Sequence, residues 1–192
     1  MTLRTAAAVL AVLAATAAAA ALKAGDAAPA FTAQASLAGK PFSYSLQEQL
    51  ARGPVVVYFY PSAYTSGCNI QAHEFSTRAE QFAAAGASVV GVSLDSIERL
   101  NAFSADPDYC AGKLAVASDA DGRIARSYGL RVSDKVRGAT DTRGKEIDHG
   151  FTERTTFVVK RDGTVHAAVG GVSPEENVAR ALELVRKLAA SH

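Results

Sequence analysis

Residues 55–60 read Val-Val-Val-Tyr-Phe-Tyr, a β-branched and aromatic run with no polar alternation. Such a run predicts a strand buried on both faces at the centre of a sheet. Pro61 ends it, and a loop runs on to Gly67. The stretch 68–85 then has a helical rhythm, with Ile70, Phe75, Ala79 and Phe82 on a rough apolar face and Gly86 placed to stop it. A second buried-type strand follows at 88–94, so 55–94 predicts a βαβ unit with a right-handed crossover. Upstream, 23–31 is an extended lead-in in which Pro29 argues against helix. There 31–35 and 41–45 alternate loosely as a hairpin about Gly39, and 46–52 forms a short helical turn.

Downstream, 96–104 is helical until Asp106-Pro107-Asp108 breaks it, 114–117 is a short strand, and 121–128 is a short helix ending at Gly129. Residues 132–153 show no clear period and carry eight charges between Asp134 and Asp148, which marks a functional or mobile loop. A hairpin follows, 155–160 and 164–169, around Asp162-Gly163. Ser173 caps the last helix, Pro174 takes its first position, and Glu176 completes a capping box. That helix runs to about residue 190 with Val178, Leu182, Val185 and Leu188 on one face. The sum is one α/β domain, a central mixed sheet with helices on both faces, without internal repeats.

The N-terminus is different material. Residues 1–22 contain one charge, Arg4, and an Ala- and Leu-rich run. A basic start, an apolar stretch and a small-residue exit predict a secretory signal peptide, residues 1–21, cut somewhere between Ala17 and Ala21. An uncleaved anchor fits less well because alanine is weakly apolar and the run barely spans a bilayer. A soluble Ala-rich tail would rarely avoid charge for so long. The remaining chain, 22–192, is then expected to be one exported domain of periplasmic location. Its 192-residue precursor has 20 basic and 19 acidic residues and neither a basic stripe nor an acidic tail, so nucleic acid and anionic membrane are poor partners. No stable membrane association is expected once the signal is cut.

Export changes the meaning of the two cysteines, Cys68 and Cys110. In an oxidising compartment they could be one structural disulfide, or two buried inert thiols, and their spacing fits no zinc site. Local sequence separates them. Cys68 opens a helix after a buried strand, where unpaired N–H groups and the helix dipole favour negative charge. Three positions earlier, the Thr65 hydroxyl can donate to the thiolate or to an oxygen bound beside it, and Gly67 permits close backbone approach. A loop-capping role for Thr65 is compatible with both.

The segment 57–68, Val-Tyr-Phe-Tyr-Pro-Ser-Ala-Tyr-Thr-Ser-Gly-Cys, resembles the active-site signature of the peroxiredoxins in its Pro61, Thr65 and Cys68. The similarity is to the peroxiredoxin Q or bacterioferritin comigratory protein branch, and it continues through Ala72, Glu74 and Phe75, 92–96, 118–122 and 154–159. Residues 22–31 resemble that family's usual mature start. The resemblance implies a thioredoxin-like fold and a thiol-dependent peroxidase with no metal or other cofactor. It implies hydrogen peroxide and organic hydroperoxides as substrates, a thiol reductant (a thioredoxin-like protein or a small thiol), and a monomer or weak dimer. It makes Cys68 the nucleophile that becomes a sulfenic acid, and Arg154 the active-site arginine beside it. Spacing alone leaves Arg154 as a surface residue at a strand start. Thr65, Arg154 and the backbone N–H groups of Gly67 and Cys68 would bind the oxygen that gains charge as the O–O bond breaks.

The chain also departs from its branch. Many members carry a second cysteine five residues after the first, where this chain has His73. Five residues along a helix turn the ring about 140° away from Cys68, so His73 is expected to be an exposed polar residue. Cys110 then becomes the expected resolving cysteine; the alternatives are an incidental thiol and an external resolving thiol. A disulfide requires Cα atoms within about 7 Å, so the start of the helix at Cys68 would have to unwind. A thioredoxin-like thiol–disulfide oxidoreductase would need a Cys-x-x-Cys pair, and the second position here is Gln71. A copper protein would want a second cysteine in the loop. A non-catalytic module would leave the conjunction of Pro61, Thr65, Cys68 and Arg154 unexplained.

Overall fold

The computed structural model describes residues 20–191, so the signal expected at 1–21 lies almost wholly outside the described residues. Leu22 N–H donates to Tyr128 O at 3.1 Å, and Leu22 packs on the core.

Seven strands form one mixed sheet: β1 (Thr32–Leu37), β2 (Lys40–Ser45), β3 (Val55–Phe59), β4 (Ser88–Ser93), β5 (Ala115–Ser118), β6 (Thr155–Val159) and β7 (Val165–Gly170). Their spatial order is β2-β1-β5-β4-β3-β6-β7. β3 lies parallel to β4 and antiparallel to β6, and every residue of β3 is buried. Its side chains alternate between two cores. Val56, Tyr58 and Tyr60 join Phe75, Phe82, Leu100, Phe103, Val178, Leu182 and Val185 on one face. Val55, Val57 and Phe59 join Leu46, Tyr128, Leu130 and Phe157 on the other. The unbroken apolar run thus reflects cover on both faces.

Six helices supply that cover: α1 (Leu46–Leu50), α2 (Ser66–Thr77), α3 (Ala79–Ala84), α4 (Ile97–Ala105), α5 (Arg123–Ser127) and α6 (Pro174–Ala189). The single helix expected over 68–85 is two, interrupted at Arg78 (φ −103°, ψ 8°), and the first begins at Ser66. Phe75 and Phe82 are buried, as their spacing suggested, but Ile70 is 38% exposed. Ile70 and Phe75 lie five residues apart within α2, a rotation of about 140°, so Ile70 falls outside the face that seats Phe75. At α6, Ser173 Oγ accepts from Glu176 N–H at 3.2 Å, which is half of the expected capping box. The Glu176 carboxylate instead takes Arg180 one turn on. Among the described residues no helix is long and apolar enough to cross a membrane.

Candidate active site

β3 delivers the chain to Tyr60 and half-buried Pro61 at one end of the sheet. The loop 61–65 then turns it into α2, with Thr65 as the extended N-cap residue (φ −93°, ψ 149°). Cys68 is the third residue of α2 and is 1% exposed. β6 runs antiparallel to β3 with Thr155 opposite Phe59, so Arg154, just before β6, emerges at the same end. Its Nη2 lies 3.3 Å from Cys68 Sγ. Strand register, not sequence distance, brings the guanidinium to the sulfur.

Two side chains aim Arg154. Its Nη1 donates to Gln71 Oε1, one turn along α2 from the cysteine. Gln71 Nε2 donates to Asn177 Oδ1 of α6 at 2.9 Å, and Asn177 Nδ2 donates to Val169 O at 2.9 Å. Gln71 and Asn177 are fully buried, and buried polar groups persist only when paired. Neither stands out as functional in the sequence alone. The available signal was a polar residue on a helical face otherwise filled by Ala72 and Phe75, or by Val178 and Ala181. A Cβ on Gly67 would stand 3.0 Å from Arg154 Nη2 and 3.5 Å from Pro174 Cγ. Glycine there leaves the guanidinium room to lie over the first turn.

Two expected contacts are rearranged. The Thr65 hydroxyl donates its one proton to Ser62 O at 2.8 Å, not to the sulfur, and so meets a substrate as an acceptor. Cys68 N–H donates to Thr65 O at 3.0 Å. Of the two amides expected to hold substrate oxygen, only that of Gly67 has no backbone partner among the described residues.

Cys110 follows α4 in a tight turn and is fully buried. Both cysteines are free thiols. Burial pushes the Cys110 thiol far up, and the Asp106 carboxylate adds to the shift. His73 is exposed, and its Nδ1 meets Asp108 O at 3.0 Å, away from Cys68.

A buried thiol at a helix start, with a guanidinium on its sulfur and a free amide beside it, is built to support negative charge on an attacking sulfur and on an oxygen leaving it. The pattern that defines the AhpC/TSA family matches residues 24–168. The chain belongs to that family. It is a peroxiredoxin, a thiol peroxidase. It is 30% identical to chloroplastic peroxiredoxin Q of Sedum lineare over 165 residues, 85% of this chain and 78% of that protein. The structure of peroxidoxin BcpB from Mycobacterium tuberculosis superposes with a TM-score of 0.72 at 28% identity, covering 87% of this chain and 98% of that one. The bacterioferritin comigratory protein of Xanthomonas campestris gives 0.64 at 26% identity, covering 81% and 91%. The thioredoxin-like fold expected from the resemblance is thereby shown.

This peroxiredoxin fixes its active-site loop through a buried carboxylate at the end of β4. Asp95 Oδ2 accepts from Ala63 N–H and Ser93 Oγ, both at 2.7 Å. Its Oδ1 accepts from Ser62 Oγ at 2.8 Å and faces His149 Nε2 at 2.9 Å. Arg99 ties Ala63 O to Asp141, its Nη2 lying 2.8 and 2.9 Å away. Tyr64, left-handed at φ 63°, is held against that strain. Its carbonyl accepts from Thr142 N–H at 2.9 Å and from Thr142 Oγ1 at 2.8 Å, and Arg143 stacks 3.1 Å from its ring centroid. The segment 132–153 is therefore the clamp on the loop before Cys68.

The clamp carries a pH dependence. Burial alone would raise the Asp95 carboxyl, but its His149 hydrogen bond and charge, with Ala63 N–H and Ser93, hold it below its ordinary value. Burial alone would lower the His149 imidazole, but Asp95, Gly150 O and Asp148 raise it. Asp95 contributes stability above its ordinary 3.8, lost as pH falls through the lowered folded value. His149 contributes below its ordinary 6.5, lost as pH rises through the raised folded value. The Tm advantage of wild type over His149→Gln should therefore shrink as pH rises from about 6 to about 9. A difference constant across that range would mean that the imidazolium charge contributes nothing.

Proposed function

We propose that this peroxiredoxin is an exported enzyme that reduces hydrogen peroxide and organic hydroperoxides through a Cys68 sulfenic acid resolved by Cys110. The observation that carries the first half is the Arg154 guanidinium 3.3 Å from a free Cys68 Sγ at the start of a helix. The Cys68 thiolate attacks the distal peroxide oxygen, the S–O bond forms as the O–O bond breaks, and the alkoxide or hydroxide leaves and is protonated. Thr65 Oγ1 accepts from the substrate hydroxyl, while Arg154 and Gly67 N–H face the oxygens that gain charge. Organic hydroperoxides enter through likeness to the Xanthomonas protein, whose structures are described for alkyl peroxide reduction. Cys110 thiolate then attacks the sulfenic sulfur, giving a disulfide and releasing hydroxide, which takes a proton to become water. A dithiol protein or small thiol reduces the disulfide. The charge-poor residues 1–22 support export to the periplasm, and the mass of the protein recovered from that compartment tests cleavage.

Mass spectrometry before and after one equivalent of peroxide tests the chemistry, and a Cys68–Cys110 peptide is the expected product. Cys110→Ser should still react once, then stall as sulfenate and overoxidise to sulfinic acid more readily than wild type. Its turnover with a dithiol protein should fall steeply while small-thiol turnover survives. If Cys110→Ser cycles like wild type with every reductant, the enzyme is a one-cysteine peroxidase.

A further inference from the structure

The turn that carries Cys110 is bonded largely within itself. Tyr109 and Ala111 N–H donate to Asp106 O at 3.3 and 2.8 Å, Gly112 N–H to Ser104 O at 2.9 Å, and Lys113 N–H to Cys110 O at 2.9 Å. Apart from the bonds of Asp106 and Gly112 N–H back to the end of α4, its hydrogen bonds to another element, among the described residues, come from α2. His73 Nδ1 meets Asp108 O at 3.0 Å, and Ser76 Oγ donates to Tyr109 O at 2.7 Å. These carbonyls belong to the two residues just before Cys110. The helix that carries Cys68 therefore grips the segment carrying the other thiol.

On the reading that Cys110 resolves Cys68, we propose that His73 and Ser76 form a latch that sets the rate of resolution. Cys110 cannot resolve Cys68 where it sits: both are buried, 1% and 0% exposed, and the Cys110 sulfur must become a thiolate to attack. Resolution therefore draws on an opened minority in which 106–112 has lifted from α2. His73 and Ser76 lie one to two turns beyond Cys68, so fraying the first turn exposes Cys68 without freeing Cys110. The two events are separate, and the latch governs the second. Left-handed Ala111 (φ 52°) and Gly112 (φ 66°) place a natural hinge at the far end of the lifted segment. His73 acquires a role at the position where its branch often carries a cysteine. Both latch residues are positioning residues and touch neither sulfur nor substrate.

The step itself is Cys110 thiolate attack on the Cys68 sulfenic sulfur, forming S–S and breaking S–O. Weakening the latch enlarges the opened minority without changing that chemistry. His73→Ala and Ser76→Ala should each speed disulfide formation roughly five-fold, the shift expected for one modest hydrogen bond, and the double variant should exceed either. Sulfenate formation, measured separately by rapid mixing, should be unchanged, and overoxidation at high peroxide should fall. Amide exchange in 106–112 should quicken while that of α6 stays the same. A general loss of stability would move both segments. If wild type forms the 68–110 disulfide and the double variant forms it at the same rate, the latch is wrong and the Cys110 reading stands. If wild type forms no such disulfide, both are overturned.

Discussion

Replacing Cys68 with serine is expected to reduce peroxide turnover to the uncatalysed background while the fold persists. In the proposed mechanism the sulfur is the atom that takes up the oxygen, and serine has no stable counterpart of the sulfenic acid. Nor is a hydroxyl ionised to a useful degree near neutral pH. The fold should survive because serine keeps the shape of cysteine, and its oxygen inherits the Arg154 donor 3.3 Å from the present sulfur, so no unpaired polar atom is created in the buried first turn. Peroxide consumption with a small thiol gives the first readout and thermal unfolding the second. Activity near wild type in a folded Cys68→Ser protein would overturn the assignment of the nucleophile.

What the chain declares about itself divides by the range of the interaction. The β3 run announced a strand buried on both sides because its burial is set by its own residues, and Val56 and Val57 do face opposite cores. Ser173-Pro174 marked the start of α6 because capping is local. The break at Arg78 was hidden, since 68–85 contains no proline and no internal glycine before Gly86. Resemblance, not spacing, pointed to Arg154. Spacing could not do so, because the β3–β6 pairing that places it joins segments nearly a hundred residues apart. Gln71, Asn177 and Asp95 were missed for the same reason: each matters through a partner on another element. Each nonetheless left a trace, a polar side chain where an apolar one would fit the pattern. The loop 132–153 stands apart in the sequence by its charges and its lack of period. Its part as a clamp on Tyr64 became visible only when Thr142 and Arg143 were placed against that residue.

Arg154→Ala should slow sulfenate formation on the order of a hundred-fold, the loss typical of removing one preorganised charge partner from a transition state. The guanidinium contacts the sulfur through Nη2 and Gln71 through Nη1, so it is held at two points before substrate arrives. That preorganisation gives it more leverage than a mobile surface charge, which solvent would screen. Alanine removes the charge and also leaves Gln71 Oε1 short of a donor, so part of any stability change will come from Gln71. Arg154→Lys separates the contributions: it keeps a positive charge but cannot span both partners, and its rate should fall between those of alanine and wild type. Stopped-flow oxidation by hydrogen peroxide, with thermal unfolding of each variant, gives the comparison. Equal oxidation rates for wild type and a folded Arg154→Ala protein would reduce Arg154 to a buttress of α2 and leave the charge on the departing oxygen to Gly67 N–H and solvent.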